Sequence, residues 1–241
     1  MENLLSTVLT HYNWPGSLLA LVAIIVLTKL GKFLAFKVPA LAQTKQLNRE
    51  QDKLKLKKDK YPPMIKASQK VGLYCNLAFF AVILPFCITL DPQPLWMVPL
   101  HLLVILMVYD FFYYLMHRFW FHGNGNMRQV HAVHHQARTP TYIDAHYVHP
   151  TETFLGLALF FTTIIGMSLL LGPLHVVTVV VLYTLYVQLN TINHTHVDLP
   201  YFPFKTLSWI TAKHHRHHEN MQMGNYATIT LIYDKMFGTF E

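Results

Sequence analysis

Charge is scarce in this chain. Asp, Glu, Lys and Arg together make up 13% of its 241 residues, against 53% hydrophobic. A soluble globular domain carries about twice that charged share. The balance excludes an intrinsically disordered chain and argues against a soluble enzyme. Cysteine is nearly absent: Cys75 and Cys87 lie in one apolar run, so neither a disulfide framework nor a thiolate-held cluster can be built. The chain has no Gly-rich dinucleotide fingerprint and no Cys-x-x-Cys-His. The His-Glu-x-x-His of zinc proteases is missing, because His218-Glu219 is followed by Asn220, Met221 and Gln222. No glutamate has a histidine three residues later, which removes the Glu-x-x-His pairs of soluble dimetal bundles.

What charge there is lies in one place. The formal net charge is +7, and residues 37–70 account for all of it, with ten Lys/Arg against Glu50, Asp52 and Asp59. A nucleic-acid reader needs stacking or base-reading side chains between its cations. This segment has almost none, so nucleic acid is excluded as a partner. It reads instead as a cytoplasmic loop beside a membrane, attracted to anionic headgroups.

Five apolar stretches approach the length that crosses about 30 Å of hydrocarbon. They run over Leu18–Phe36, Val71–Leu90, Leu95–Met116, Phe154–Leu171 and Leu174–Ile192. Asp91-Pro-Gln-Pro94 and Gly172-Pro173 supply turns between them. The first apolar run starts late and lacks a cleavage site, so no cleaved signal is expected. The expected fold is all-α: an integral membrane bundle of four to five spans with a cytosolic helical cap. Residues 1–70 form a first span and basic segment, and residues 71–241 form the main unit. With 37–70 in the cytoplasm, two hairpins return residues 117–153 and 193–241 to the same side.

Sixteen histidines are far more than a chain of this size ordinarily carries, and thirteen fall in those two returning segments. His131, His134 and His135 stand at i, i+3, i+4, and His214, His217 and His218 repeat the spacing, which gathers three imidazoles into one patch of a helix. His117 and His122 are five apart, about 140° around an α-helix. The expectation is therefore a break between them, or service to different metals. His194 opens the segment after the fifth span, one turn beyond Asn190. Neutral imidazole binds iron, zinc, copper or nickel. Nine candidates are too many for one ion and suit two, with positions left for oxygen or water.

Other residues stand near this set. Asp110 lies two turns before His117 and is placed to hold an imidazole N–H or to face a protein interior. His149 and Glu152, at i and i+3, can cap or orient a ligand helix, or ligate. Asn190 can hold a metal-bound water or bond to a neighbouring helix. His196 and His215 lie off the repeated spacings. The rival reading is a membrane metal carrier or sensor, which needs ionisable groups along its spans. Away from the span ends these are few, essentially Asp110 and His101 of the third, so an enzyme is the better reading.

The ordered series Asp110-x3-Tyr114-x2-His117-Arg118-x3-His122, His131-x-x-His134-His135, His149-Pro-Thr-Glu152, His194, His214-x-x-His217-His218 and Asn225-Tyr226…Asp234-Lys-Met-Phe-Gly-Thr239 resembles the fatty acid hydroxylase/sterol desaturase superfamily of integral membrane di-iron oxygenases. The likeness runs from Asp110 to residue 241. It departs at Ala227, where glycine commonly follows the tyrosine, and it uses the longer spacing between the first two histidines. By this resemblance the metal ligands are His117, His122, His131, His134, His135, His194, His214, His217 and His218. The resemblance implies two iron ions, replaceable by zinc in a purified sample, and O2 as co-substrate. It implies hydroxylation of an unactivated C–H bond in a lipid-like substrate (fatty acyl, sterol or carotenoid type), or desaturation in the same architecture. Electrons are expected from a separate donor, cytochrome b5-like or a ferredoxin and its reductase, since there is no room for a fused donor domain. The expected location is a bacterial inner membrane or the endoplasmic reticulum, with the metal site facing the cytoplasm.

Overall fold

A computed structural model describes residues 11–199, 201–202 and 204–241. Helix α1, Trp14–Ala35, starts because Asn13 accepts a hydrogen bond from Gly16 N at 3.0 Å and Pro15 sits in the first turn. Its buried face is small, with Gly16, Ser17, Ala20 and Ile24, which lets it lie close against α7, Val176–Asn193. The opposite face exposes Leu18, Val22, Ile25 and Phe33. A soluble monomer does not leave such a stripe open to water.

Most of the basic segment 37–70, expected as a loop, is helical, in two helices joined by a turn at 57–60. Helix α2, Pro39–Leu56, and the start of α3, Tyr61–Ala78, each carry proline in the first turn. Gln, Lys, Arg and Leu between them are good helix formers. The second span therefore begins ten residues before Val71. It ends at Phe86 rather than Leu90, after a π-helical turn over Phe79–Ile83 and a 3-10 turn at Leu84–Phe86. Strand β1, Ile88–Thr89, then pairs in parallel with β2, Leu174–His175, so the expected Gly172 turn also ties two hairpins together at the end of the bundle remote from the histidines. Gly172 enters it with φ 84°, a conformation that favours glycine.

Helix α4, Met97–Leu115, continues through a π-helical turn, Met116–Phe121. Helix α6, Pro150–Leu171, packs on α3 and α4, and α4 packs also on α7. Among the described residues, five helices are long and apolar enough to cross a membrane. Aromatic side chains fill the bundle: Phe79 stacks on Phe161 at 4.0 Å, Phe160 stacks on Tyr186 at 3.9 Å, and Tyr109 meets both of the latter edge-on.

The cap comprises α2, α5 (Asn126–His134), α8 (Phe204–Glu219) and α9 (Ile232–Met236). The basic segment and both histidine-rich segments meet at this one end. Lys55 and Tyr61 both reach the fully buried Asp144, Lys60 reaches Gln136, and Asn48 bonds to both backbone groups of His196. Of the run Phe111–Tyr114, Phe111 lies on Tyr233 of α9 at 5.3 Å and Tyr114 stacks on Phe237, just beyond α9, at 5.3 Å, while Phe112 is exposed and Tyr113 lines a cavity between the helices.

Candidate metal centre

The nine candidate histidines come together in two groups. His117, His122, His131, His135 and His217 form the first; His134, His194, His214 and His218 form the second. Within each group, one ring nitrogen per residue lies within 4.8 Å of all the others. Each triad, expected as one patch, is split between the groups. On an α-helix i+4 lies about 40° from i while i+3 lies about 60° to the other side. So His131 and His135 face the first group while His134 faces the second, and His214 and His218 face the second while His217 faces the first.

The expected break between His117 and His122 is not there. The chain stays helical through the π-helical turn, and His122 N donates to His117 O at 2.9 Å, an i to i−5 bond. The wider turn returns residue i+5 to the face of residue i. The His122 ring accordingly stands 4.8 to 5.1 Å from those of His117, His131, His135 and His217, capping all four.

Those four rings turn their Nε2 atoms toward one another: His117 to His131 at 3.0 Å, His131 to His135 at 3.0 Å, His135 to His217 at 3.2 Å and His217 to His117 at 3.2 Å. In the second group, Nε2 of His134, His194, His214 and His218 follow in a chain at 2.9, 3.0 and 3.1 Å.

The outer nitrogens explain which tautomers these are. Nδ1 of His117 donates to Tyr226 O at 2.7 Å, that of His122 to Met221 O at 2.8 Å and that of His217 to Gly224 O at 2.7 Å. Nδ1 of His134 donates to Tyr147 O at 3.2 Å, that of His194 to Asn190 O at 2.7 Å and that of His131 to Glu152 Oε1 at 2.8 Å. A carbonyl can only accept, so the proton sits on Nδ1 and Nε2 carries a lone pair. Converging lone pairs cannot hydrogen-bond to one another. They are the donor set of a cation, and the buried Nε2 of His122 has no protein partner at all.

Burial keeps these rings neutral. It pushes His122 and His131 down to about 3, with the charge of His131 adding to the effect at His122. His134, His135, His194, His214, His217 and His218 are likewise held below the ordinary imidazole value, chiefly by burial.

The neighbouring residues divide. Glu152, 8% exposed, is an acceptor for His131. Asp110 holds no imidazole: it accepts from Thr228 N, Ile229 N, and both N and Oγ1 of Thr230. Asn190 serves His194 through its backbone carbonyl rather than its amide. His149 lies outside both groups and caps α6, accepting from Thr151 N at 3.2 Å. His196 is also outside, tied to Asn48 through its backbone, with its ring 5.7 Å from that of His215. Met221, Gly224 and Tyr226 escape a reading of side chains, because they act through carbonyls.

A cavity of about 310 Å³ runs from His117, His131 and His194 up between α3, α4, α6 and α7 to Asn76 and Tyr183. Tyr183 donates to Asn76 across it, and Tyr113 and Gly156 line its sides. A Cβ added at Gly156 would meet nothing within 4 Å.

Comparison with known proteins follows the same boundaries. The sequence model of the fatty acid hydroxylase family matches residues 102–239. The chain is 31% identical to methylsterol monooxygenase 1 of Rattus norvegicus over 174 residues, 70% of this chain and 57% of the relative. It is 31% identical to a putative methylsterol monooxygenase of Dictyostelium discoideum over 142 residues, 56% of this chain and 48% of the relative. It is 34% identical to a very-long-chain aldehyde decarbonylase of Oryza sativa subsp. indica over 154 residues, 61% of this chain and 55% of the relative. The chain thus spans about half the length of these relatives. No solved structure matches it significantly.

Proposed function

The chain belongs to the fatty acid hydroxylase family, and from that premise we propose that it is a membrane oxygenase that uses O2 to hydroxylate a C–H bond of a lipid-like substrate. The observation that carries this reading is the pair of converging histidine sets, five and four, with six of the nine rings held by outward Nδ1–H bonds. Imidazole nitrogen suits divalent iron. On six-coordinate ions, five donors leave one position free and four leave two. His117, His122, His131, His135 and His217 would hold one iron, and His134, His194, His214 and His218 the other. When bound and reduced by an external donor, the irons supply O2 reduction: one oxygen atom goes into the substrate and the other leaves as water, with two electrons and two protons consumed.

The rest falls to the side chains of this chain. The Nδ1–H acceptors fix the aim of the six rings that have them and raise the donor strength of their Nε2, most at His131, whose acceptor is a carboxylate. The cavity beside both groups gives an apolar molecule a path from the bilayer, and its helical walls keep bulk water from the reacting carbon. Proximity then does the work: a C–H held beside the metals reacts as part of one complex. The ten basic residues of 37–70 sit at the histidine end, which supports a cytoplasmic orientation of the site and attraction to anionic headgroups. Nine sealed, neutral rings also favour an enzyme over a metal carrier, which must let its cargo leave.

The test is oxygen labelling. Iron-loaded protein in lipid nanodiscs receives a chemical reductant, 18O2, and in separate arms a 4-methylsterol and a long-chain fatty acid. One 18O atom in a lipid product of either arm supports the reading. Two iron ions bound with no labelled product in any arm contradicts it.

A further inference from the structure

Three of the four Nδ1–H acceptors found for the first histidine group come from one short segment. Met221, Gly224 and Tyr226 present their carbonyls to His122, His217 and His117. None of these carbonyls serves the second group, where His134 and His194 bond to Tyr147 and Asn190. The segment has no regular secondary structure to hold it, so something else must fix three carbonyls at once.

Two fully buried carboxylates do so. Asp234 accepts from Tyr226 N at 2.8 Å and Ala227 N at 2.9 Å, and from Thr239 Oγ1 at 2.8 Å. Asp110, on α4 two helical turns before His117, accepts from Thr228 N, Ile229 N and Thr230 N at 2.8 to 2.9 Å and from Thr230 Oγ1 at 2.8 Å. Five consecutive backbone N–H groups, 226 to 230, are thereby used up on two side chains. The strap is also closed at its start. Asn225 N donates to Thr239 O at 2.9 Å with φ 62°, and a Cβ on Gly224 would fall 1.9 Å from that same Thr239 oxygen.

We propose that Asp110 and Asp234 are positioning residues for the five-histidine metal position, acting through the strap 221–230, and that the four-histidine position does not depend on them. The claim rests on the reading that both groups hold metal. Its consequence is that the two metal positions are unequal. The four-histidine position takes its Nδ1–H acceptors, Tyr147 O and Asn190 O, from outside the strap, and the other needs the strap to be docked before His117, His122 and His217 are correctly aimed.

The experiment titrates the full-length, metal-stripped protein with Co(II), reading absorbance and metal per chain. Asp110→Asn and Asp234→Asn keep the side-chain shape but set an NH2 against backbone N–H donors. In each variant one site is expected to keep its wild-type affinity while the other weakens ten- to hundredfold, the usual cost of losing outer partners of a ligand. Gly224→Ala, which displaces the strap while leaving every carboxylate in place, is expected to reproduce that pattern and carries the test if an asparagine variant does not fold. Tyr233→Phe removes a bond from α9 to Met107 O without touching the three carbonyls, and is expected to retain both sites. Equal weakening of the two sites, or no weakening, overturns the proposal. A wild-type protein that binds no metal instead overturns the reading it rests on.

Discussion

The rings of His135 and His218 stack 4.7 Å apart and 17° from parallel, yet they belong to different histidine groups. This contact joins the two donor sets into one centre. It follows from the splitting of each triad: residues adjacent in sequence, His134 with His135 and His217 with His218, aim at opposite groups. The two histidine groups share a wall of imidazole, and members of both line the same cavity.

The π-helical turn gives a first prediction. It accommodates one residue more than an α-helical turn while keeping both rings on one face. Deleting the exposed Phe119 would leave the two histidines four apart, a spacing that shares a face on an ordinary α-helix. The deletion variant is expected to keep its full metal content by elemental analysis. Loss of metal from the first group would show that the turn itself is needed.

Glu152 gives a second. Glu152→Ala leaves the buried His131 Nδ1–H without an acceptor, whereas Glu152→Gln keeps a carbonyl oxygen there. Metal affinity is expected to fall about ten- to hundredfold in the alanine variant and clearly less in the glutamine variant. Equal losses in a competition titration would contradict the assigned hydrogen bond.

Acid provides a third. The His122 and His131 rings titrate near 3 in the folded protein because burial disfavours their charge, against about 6.5 when unfolded. The unfolded chain therefore binds more protons between those values. Stability contributed by the neutral rings is complete above about pH 6.5 and is lost as pH falls toward 3. Native rings do not protonate before the fold gives way, so metal release and loss of helical circular dichroism are expected to coincide in an acid titration. Metal leaving a fully helical protein near pH 6 would refute this.

The cavity wall gives a fourth. Gly156→Leu would place a side chain in open space beside the path to the histidines without contacting either group. Metal content is expected to be unchanged, while oxidation of a bulky lipid falls at least tenfold. Unaltered turnover would mean that the substrate does not use this cavity.

Much of the centre was legible in the sequence, because imidazole is the chemistry and its spacing is visible. The nine candidate histidines, six from the repeated spacing and His117, His122 and His194 from their positions and the resemblance, converge in two groups. The apolar runs marked all five long helices, with errors at their ends where proline started a helix earlier than hydropathy did, as at Pro62 and Pro63. Three things were hidden. A helix in the basic segment shows no long apolar face, so Pro39–Leu56 read as loop. A π-helical turn has no residue signature, so His122 was set apart from His117. Backbone carbonyls carry no side-chain identity, so the acceptors at Met221, Gly224 and Tyr226 could not be named. Asp110, for which the sequence left open an imidazole partner or a place in the protein interior, is buried against the strap that presents those carbonyls.

The most direct test counts metal ions. Protein purified from iron-supplemented cells is analysed for metal per chain beside the single variants His134→Ala and His217→Ala, one from each group. The account predicts about two ions in the wild type and about one in each variant, since each substitution opens only its own group. Less than one ion in the wild type, unchanged by either variant, would contradict a two-metal centre.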